Sequence, residues 1–226
     1  MVRDYKGQNI AVFDLDRTIT QFGTFTPYLF RTTQLGLSKY WRYATLLPLM
    51  LQYKQGKIGR KHLKEQMIKR LLNNRDRAEM DACAVDYAKW LMAQGHYRPG
   101  ALKQIKQHQQ QDDLVVMATA SMDWYAQKIG DQLGFDMVIG TQSCWQDDIL
   151  QPTIIGENCY GDNKRLMIEE AFKKHAIDRA GKTVIAYTDH VSDLPFLHWS
   201  DKPVAVNPSK KLERAAKEQN IPIEIW

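Results

Sequence analysis

Cysteine is scarce in this chain of 226 residues: only Cys83, Cys144 and Cys159 occur. An odd number without C-x-x-C spacing argues against a disulfide framework and a thiolate zinc site, and fits a reducing, cytoplasmic setting. The histidines are scattered without ligand spacing. Long hydrophobic runs are also missing. The most apolar stretch, Ala44–Leu51 (ATLLPLML), is far shorter than the roughly 20 residues that a bilayer-spanning helix needs. The N-terminal MVRDYKGQNIAVF has no apolar leader region or cleavage signature, so no signal peptide is expected. No G-x-S-x-G elbow occurs, which disfavours one common serine-hydrolase arrangement. Gly156 and Gly161 have P-loop spacing, but Asp162 follows where that motif requires lysine.

What is present is ordinary in bulk: 44% hydrophobic and 25% charged residues, with a net charge of +5. Such a composition suits a folded globular protein. The mild positive charge suits an anionic substrate or surface and does not by itself indicate nucleic acid. A non-enzymatic nucleic-acid binder is the weaker alternative, because no binding motif accompanies the charge.

Short apolar runs that read as buried strands occur at Ile10–Phe13, Leu114–Ala118, Met137–Ile139, Val184–Tyr187 and Pro203–Val206. Helical patterns at Gly100–Gln109, Asp123–Leu133, Lys164–His175 and Ser209–Glu218 alternate with them. This alternation predicts an α/β fold with a doubly wound parallel sheet. The interval from about Gly23 to Gly95 breaks it, with apolar residues at helical spacing (Leu63, Met67, Leu71; Ala84, Tyr87, Ala88, Leu91). The expected organisation is an α/β core of residues 1–22 and 96–226 with an inserted all-α unit of residues 23–95. Trp145–Thr153 (WQDDILQPT) reads as a β-hairpin or an excursion from the core.

Chemistry gathers where these strands end. In IAVFDLDRTIT an apolar run stops at Asp14, with Asp16 two residues on and then Thr18. Ligands of open α/β sheets bind at the carboxyl ends of strands, and uncompensated charge there is costly. Two carboxylates so placed suit different tasks, one as nucleophile and the other as proton carrier. The strand in LVVMATAS ends at Thr119-Ala120, where a hydroxyl and backbone N–H groups can hold phosphate oxygens. Lys164 lies at the head of a helix, where the dipole is already positive, so its ammonium suits an anion. In TVIAYTDHVSDLPFL a strand ends at Asp189 and Asp193 follows. This acidic pair would complete a hard oxygen site for Mg²⁺.

These four landmarks, in this order, resemble the haloacid dehalogenase superfamily, specifically its phosphoserine-phosphatase-like branch. The resemblance spans nearly the whole chain and implies a Rossmann-like core with an inserted helical cap. It further implies that Asp14 attacks phosphorus to form an aspartyl-phosphate, and that Asp16 protonates the leaving oxygen and then deprotonates the hydrolytic water. Mg²⁺ would be held by Asp14, Asp189 and the backbone carbonyl of Asp16, with Asp193 supporting the metal site and orienting Lys164. Thr18, Thr119, Ala120 and Lys164 form the implied phosphate-binding set. The implied activity is Mg²⁺-dependent hydrolysis of a small phosphate monoester. The family's dehalogenases and P-type ATPases lack an Asp at the position of Asp16, which favours a phosphatase.

Two departures disfavour phosphoserine itself as the substrate. The place where phosphoserine phosphatases carry a Glu for the substrate ammonium falls near Gly23, and their Gly-Gly after the second motif is Ala120-Ser121 here. One segment of the inserted unit, Lys39–Lys54 (KYWRYATLLPLMLQYK), flanks an apolar centre with aromatic and basic residues. It is similar to a longer, more apolar segment of bacterial phosphatidylglycerophosphatases, which implies the alternative of a lipid-phosphate phosphatase in contact with a membrane. The favoured expectation is an ordinary cap helix over Tyr40–Tyr53. Most of Trp41, Leu46, Leu47, Leu49 and Met50 would then be buried, and Pro48 would kink or end the helix.

Overall fold

The computed structural model describes residues 7, 9–33 and 38–226. The first residues of the chain, used above to judge a leader, and the side chain of Lys39 lie outside the described residues.

Six parallel strands form the central sheet: β1 (Asn9–Phe13), β2 (Leu114–Met122), β3 (Met137–Thr141), β6 (Thr183–Thr188), β7 (Lys202–Val206) and β8 (Ile223–Glu224). Their order is β3-β2-β1-β6-β7-β8. β1 is therefore central, with Ile10 opposite both Leu114 and Val184. The chain first builds outward from β1 through β2 and β3, then returns to the other side through β6. The sheet is wound in both directions, and its switch point lies between β1 and β6. Two strands, β4 (Ser143–Gln146) and β5 (Ile149–Ile154), form a separate antiparallel hairpin. Its turn residues Asp147 and Asp148 have φ of 48° and 59°, the pair of left-handed conformations that a two-residue hairpin turn needs.

Strand periodicity explains the layering. Ala11 and Phe13 of β1 enter one core, while Ile10 and Val12 enter the other. The first core contains α6 (Pro99–Gln110) and α7 (Asp123–Leu133); the second contains α8 (Asp162–Lys174), α9 (Leu194–Trp199) and α10 (Lys210–Glu218). Apolar strands covered on both faces are the usual state of a parallel sheet.

Between β1 and β2 lie five further helices: α1 (Phe25–Thr32), α2 (Ser38–Ala44), α3 (Leu47–Lys54), α4 (Arg60–Leu71) and α5 (Arg77–Ala93). Asp76 caps α5 by accepting from Glu79 N at 2.8 Å. Aromatic side chains join α1 and α5 to α7: Tyr28 stacks on Tyr125 at 4.5 Å, and Tyr87 meets both edge-on. The Tyr87 hydroxyl donates to Thr24 O at 2.9 Å. The β4–β5 hairpin meets the helices from the other side, with Arg77 N donating to Asp148 O and Leu150 N to Arg75 O.

The structure corrects the expectation for Tyr40–Tyr53. This segment is two short helices rather than one; the break falls between Ala44 and Leu47, just before Pro48, which cannot continue the ladder and instead sits in the first turn of α3, a place where its missing N–H costs nothing. Leu46 and Leu49 are buried, but Trp41, Leu47 and Met50 are exposed. The reason is geometric. The residues of α3 are apolar on opposite sides, and the neighbouring helices cover only the side bearing Leu46 and Leu49.

Candidate active site

A cleft of about 440 Å³ opens at the switch point, lined among others by Asp14, Asp16, Ala120, Lys164, Asp189 and Asp193. Six of the eight side chains singled out from the sequence thus meet in one place. Asp14 continues the β1 ladder, its N–H donating to Tyr187 O at 2.9 Å. The chain then turns through Leu15–Ile19, with Arg17 at φ 65°. A non-glycine residue in this region is uncommon and costs backbone energy. Here Arg98 Nε holds the Arg17 carbonyl at 3.0 Å. The turn separates the two carboxylates, so that Asp14 faces Lys164 while Asp16 faces α1 and the end of β2.

Lys164 is buried and donates to Asp14 Oδ1 at 2.7 Å and to Asp193 Oδ2 at 2.5 Å. Thr188 Oγ1 donates to the same Asp193 oxygen at 2.8 Å. Asp16 Oδ1 accepts from Thr24 N at 2.6 Å and from Thr24 Oγ1 at 2.7 Å, and its other oxygen accepts from Ser121 Oγ at 3.1 Å. The other two expected residues, Thr18 and Thr119, are fully buried behind the cleft. Thr18 Oγ1 lies 3.4 Å from Asp14 Oδ2, and Thr119 Oγ1 accepts from Ser121 N at 3.0 Å.

Charge is out of balance here. Four carboxylates share the cleft with Lys164, and the guanidinium-bearing Arg17 and Arg60 also line it. Burial pushes the Asp14 carboxyl up to about 8; the neighbouring carboxylates add to the rise and Lys164 opposes it. Burial likewise raises Asp189 to about 7, with Asp193 adding to it. Burial alone would lower Lys164, but Asp14 and Asp193 together overcome it and hold the ammonium well above its ordinary value. Buried carboxylates that resist ionising are a donor set suited to a hard divalent cation. Among the described residues no three His, Cys, Asp or Glu side chains are grouped so as to hold a metal ion by themselves. The side chains of Asp14 and Asp189 with one backbone carbonyl would leave positions for water and substrate, as Mg²⁺ prefers.

Sequence reasoning missed Lys64, Thr24 and Ser121. Lys64 of α4 is buried, and its ammonium donates to Asn158 Oδ1 at 2.6 Å and to the carbonyl of Ala120. Burial pushes this ammonium down to about 7, against the pull of Asp16. Nothing in KQGKIGRKHLK separates Lys64 from its solvated neighbours except helical phase: it shares a face with Met67, Ile68 and Leu71. Thr24 follows two residues after Phe22-Gly23 begins, a place where only the fold shows that it reaches back to Asp16.

A model of the haloacid dehalogenase-like hydrolase family matches residues 11–198. The chain is 28% identical over 131 residues to a histidinol-phosphatase of Neisseria meningitidis; the match covers 57% of this chain and 59% of that protein. It therefore spans about three-fifths of that relative's length. It is 24% identical over 217 residues to a phosphoserine phosphatase of Mycobacterium tuberculosis, covering 92% of this chain and 68% of the relative. Among solved structures, a protein of unknown function from Bordetella pertussis superposes with a TM-score of 0.85 at 20% identity, covering 97% of this chain and 99% of its own. That likeness shows a shared fold.

Proposed function

Because the chain belongs to the haloacid dehalogenase-like hydrolase family, we propose that it is a phosphatase hydrolysing a phosphate monoester through an aspartyl-phosphate on Asp14, with Mg²⁺ as cofactor. The observation that carries this reading is the Asp14–Lys164–Asp193 cluster at the mouth of β1 and β6. It sets a nucleophile beside a fixed cation at the place where an α/β sheet receives its ligand.

In the first step an Asp14 oxygen bonds to phosphorus as the P–O bond to the alcohol breaks. Asp16 gives the leaving oxygen its proton. In the second, water attacks the phosphorus of the aspartyl-phosphate, Asp16 takes the proton, and inorganic phosphate leaves as Asp14 is restored. Lys164 neutralises phosphoryl oxygens and keeps Asp14 aimed, Asp193 holds Lys164, and Thr18 orients Asp14. The backbone at Ala120 completes the phosphate cradle; Thr119, buried behind the cleft and not in it as its expected phosphate contact requires, steadies that backbone through Ser121 N. Mg²⁺ on Asp14, Asp189 and the Asp16 carbonyl would supply the remaining charge neutralisation that phosphoryl transfer needs. Residues 23–95 act as a cap over the cleft, limiting water and selecting the leaving group. Gly23 lines the cleft, and a side chain there would meet nothing within 4 Å. With no acid at this place and Arg17 and Arg60 beside it, the cleft favours a leaving group without positive charge.

The test is Mg²⁺-dependent hydrolysis of an aryl phosphate, abolished by chelator, together with calorimetry of Mg²⁺ binding. The raised pKa values of Asp14 and Asp189 mean that both hold protons at pH 6 that the cation must displace. Affinity is therefore expected to rise by at least about tenfold from pH 6 to pH 8. The free protein should move the opposite way. Its folded carboxyls keep protons that the unfolded chain has released, so its stability falls as pH rises toward about 7 and 8. Asp189→Ala should weaken Mg²⁺ binding sharply; equal affinity for both proteins would remove Asp189 from the metal site.

A further inference from the structure

The surface that contradicted the sequence expectation is not a random scatter. Among the described residues, half of the exposed large apolar side chains lie between Phe30 and Leu51: Phe30, Tyr40, Trp41, Leu47, Met50 and Leu51. Trp41 is 79% exposed, Leu47 66% and Leu51 56%. On α3, Leu47, Met50 and Leu51 have the i, i+3, i+4 spacing of one helix face. That face points outward, while Leu46 and Leu49 anchor the opposite side in the core. Isolated exposed apolar residues need no explanation, but a contiguous set marks a surface that meets something.

Charge and shape limit what that something is. From Arg17 to Lys64 the sequence contains nine Lys and Arg and no Asp or Glu. Lys64 turns inward and Arg17 and Arg60 line the cleft, but Arg42, Lys54 and Lys57 beside the patch are exposed, which makes this face of a protein of net charge +5 complementary to an anionic surface. A second cleft of about 510 Å³ is lined by Phe25, Met50, Tyr53, Leu63 and Met67, with Arg17, Lys54, Arg60 and Lys64 at its polar side, and reaches Asp16 and Ala120. Met50 belongs to both the exposed face and this cleft. One apolar wall, from Met50 through Tyr53, Leu63, Met67 and Phe25, therefore runs from the surface toward Asp16.

We infer that the α2–α3 face docks on an anionic phospholipid bilayer, and that the second cleft takes the apolar tail of a phosphate monoester presented from it. Trp41, Tyr40 and Leu47 enter the interface, and the exposed Arg42, Lys54 and Lys57 meet the headgroups, as for other interfacial helices. Among the described residues no helix is long and apolar enough to cross a membrane, so the contact is with the surface. The substrate's phosphate reaches Asp14 while its tail leaves past Met50 toward the lipid. The tail assignment rests on the phosphatase reading above; the docking face does not.

The experiment is co-sedimentation with phosphatidylcholine vesicles, with and without phosphatidylglycerol, alongside hydrolysis of an aryl phosphate and of a lysophosphatidic acid. The wild type should bind the anionic vesicles and not the neutral ones. Trp41→Glu and Leu47→Glu, both outside the clefts, should each weaken vesicle binding by roughly tenfold or more and leave aryl-phosphate hydrolysis unchanged. They should also slow hydrolysis of lysophosphatidic acid held in anionic vesicles. Failure to bind vesicles by a protein that hydrolyses the aryl phosphate overturns the docking proposal and leaves the phosphatase reading standing. Vesicle binding without any phosphatase activity overturns the reading and the tail assignment instead. A stable dimer in light scattering, dispersed by Trp41→Glu, would also overturn the proposal by making the face an interface between copies. Circular dichroism of both variants separates loss of binding from loss of fold.

Discussion

Asp14→Asn is expected to lower aryl-phosphate hydrolysis by roughly four orders of magnitude without loss of the fold. The amide is nearly isosteric, and its oxygen can still accept from Lys164, which donates to Asp14 Oδ1 in the wild type. What disappears is the nucleophile. Stability should hold or rise: burial already pushes the Asp14 carboxyl up to about 8, so a neutral side chain suits the site better than a carboxylate when no cation is bound. Kinetics, thermal unfolding and mass spectrometry to exclude deamidation check the three parts. Retention of more than a few per cent of the activity by an undeamidated variant would remove Asp14 as nucleophile.

Asp16→Asn should act differently on different leaving groups. An alkyl alkoxide needs a proton to depart, so hydrolysis of an alkyl phosphate is expected to fall by about 10²–10⁴. An aryl oxide leaves without that help. The variant should therefore release aryl oxide in an initial burst, then turn over slowly because the water that attacks the phosphoenzyme lacks its base. Thr24 and Ser121, which bond Asp16 at 2.6–3.1 Å, keep the side chain in place, so the effect reads on chemistry and not on position. Equal losses on both substrates, with no burst, would show that Asp16 carries no proton for the leaving group.

The two proposals for residues 23–95 differ in the substrate they require. A soluble phosphate monoester needs only the first cleft, with Arg17 and Arg60 beside the phosphate. A lipid-borne one also uses the apolar second cleft and the outward face of α3. Comparing the two substrates in the vesicle experiment therefore also measures how much of the cap serves specificity.

The strands, and the acidic residues at their ends, could be read from the sequence because both signals are local. Ile10–Phe13 and Val184–Tyr187 are short apolar runs closed by Asp14 and Asp189, and burial on both faces of a parallel sheet demands that composition. The hairpin after Trp145 was visible for the same reason, in its paired polar turn. By contrast, the short edge strand Ile223–Glu224 went unseen, since two exposed residues carry no pattern. Tertiary structure alone decided which partners meet. Lys164 reaches Asp14 across 150 residues because α8 packs over β2 and β3 next to β1, while β6, lying beside β1, brings Asp189 and Asp193 to the same place; no local periodicity encodes that arrangement. It also decided that Lys64 turns inward while its basic neighbours stay in solvent, and that Trp41 and Leu47 face outward. An apolar helix specifies that it will seek a partner; which of its sides finds one depends on what the rest of the chain places next to it.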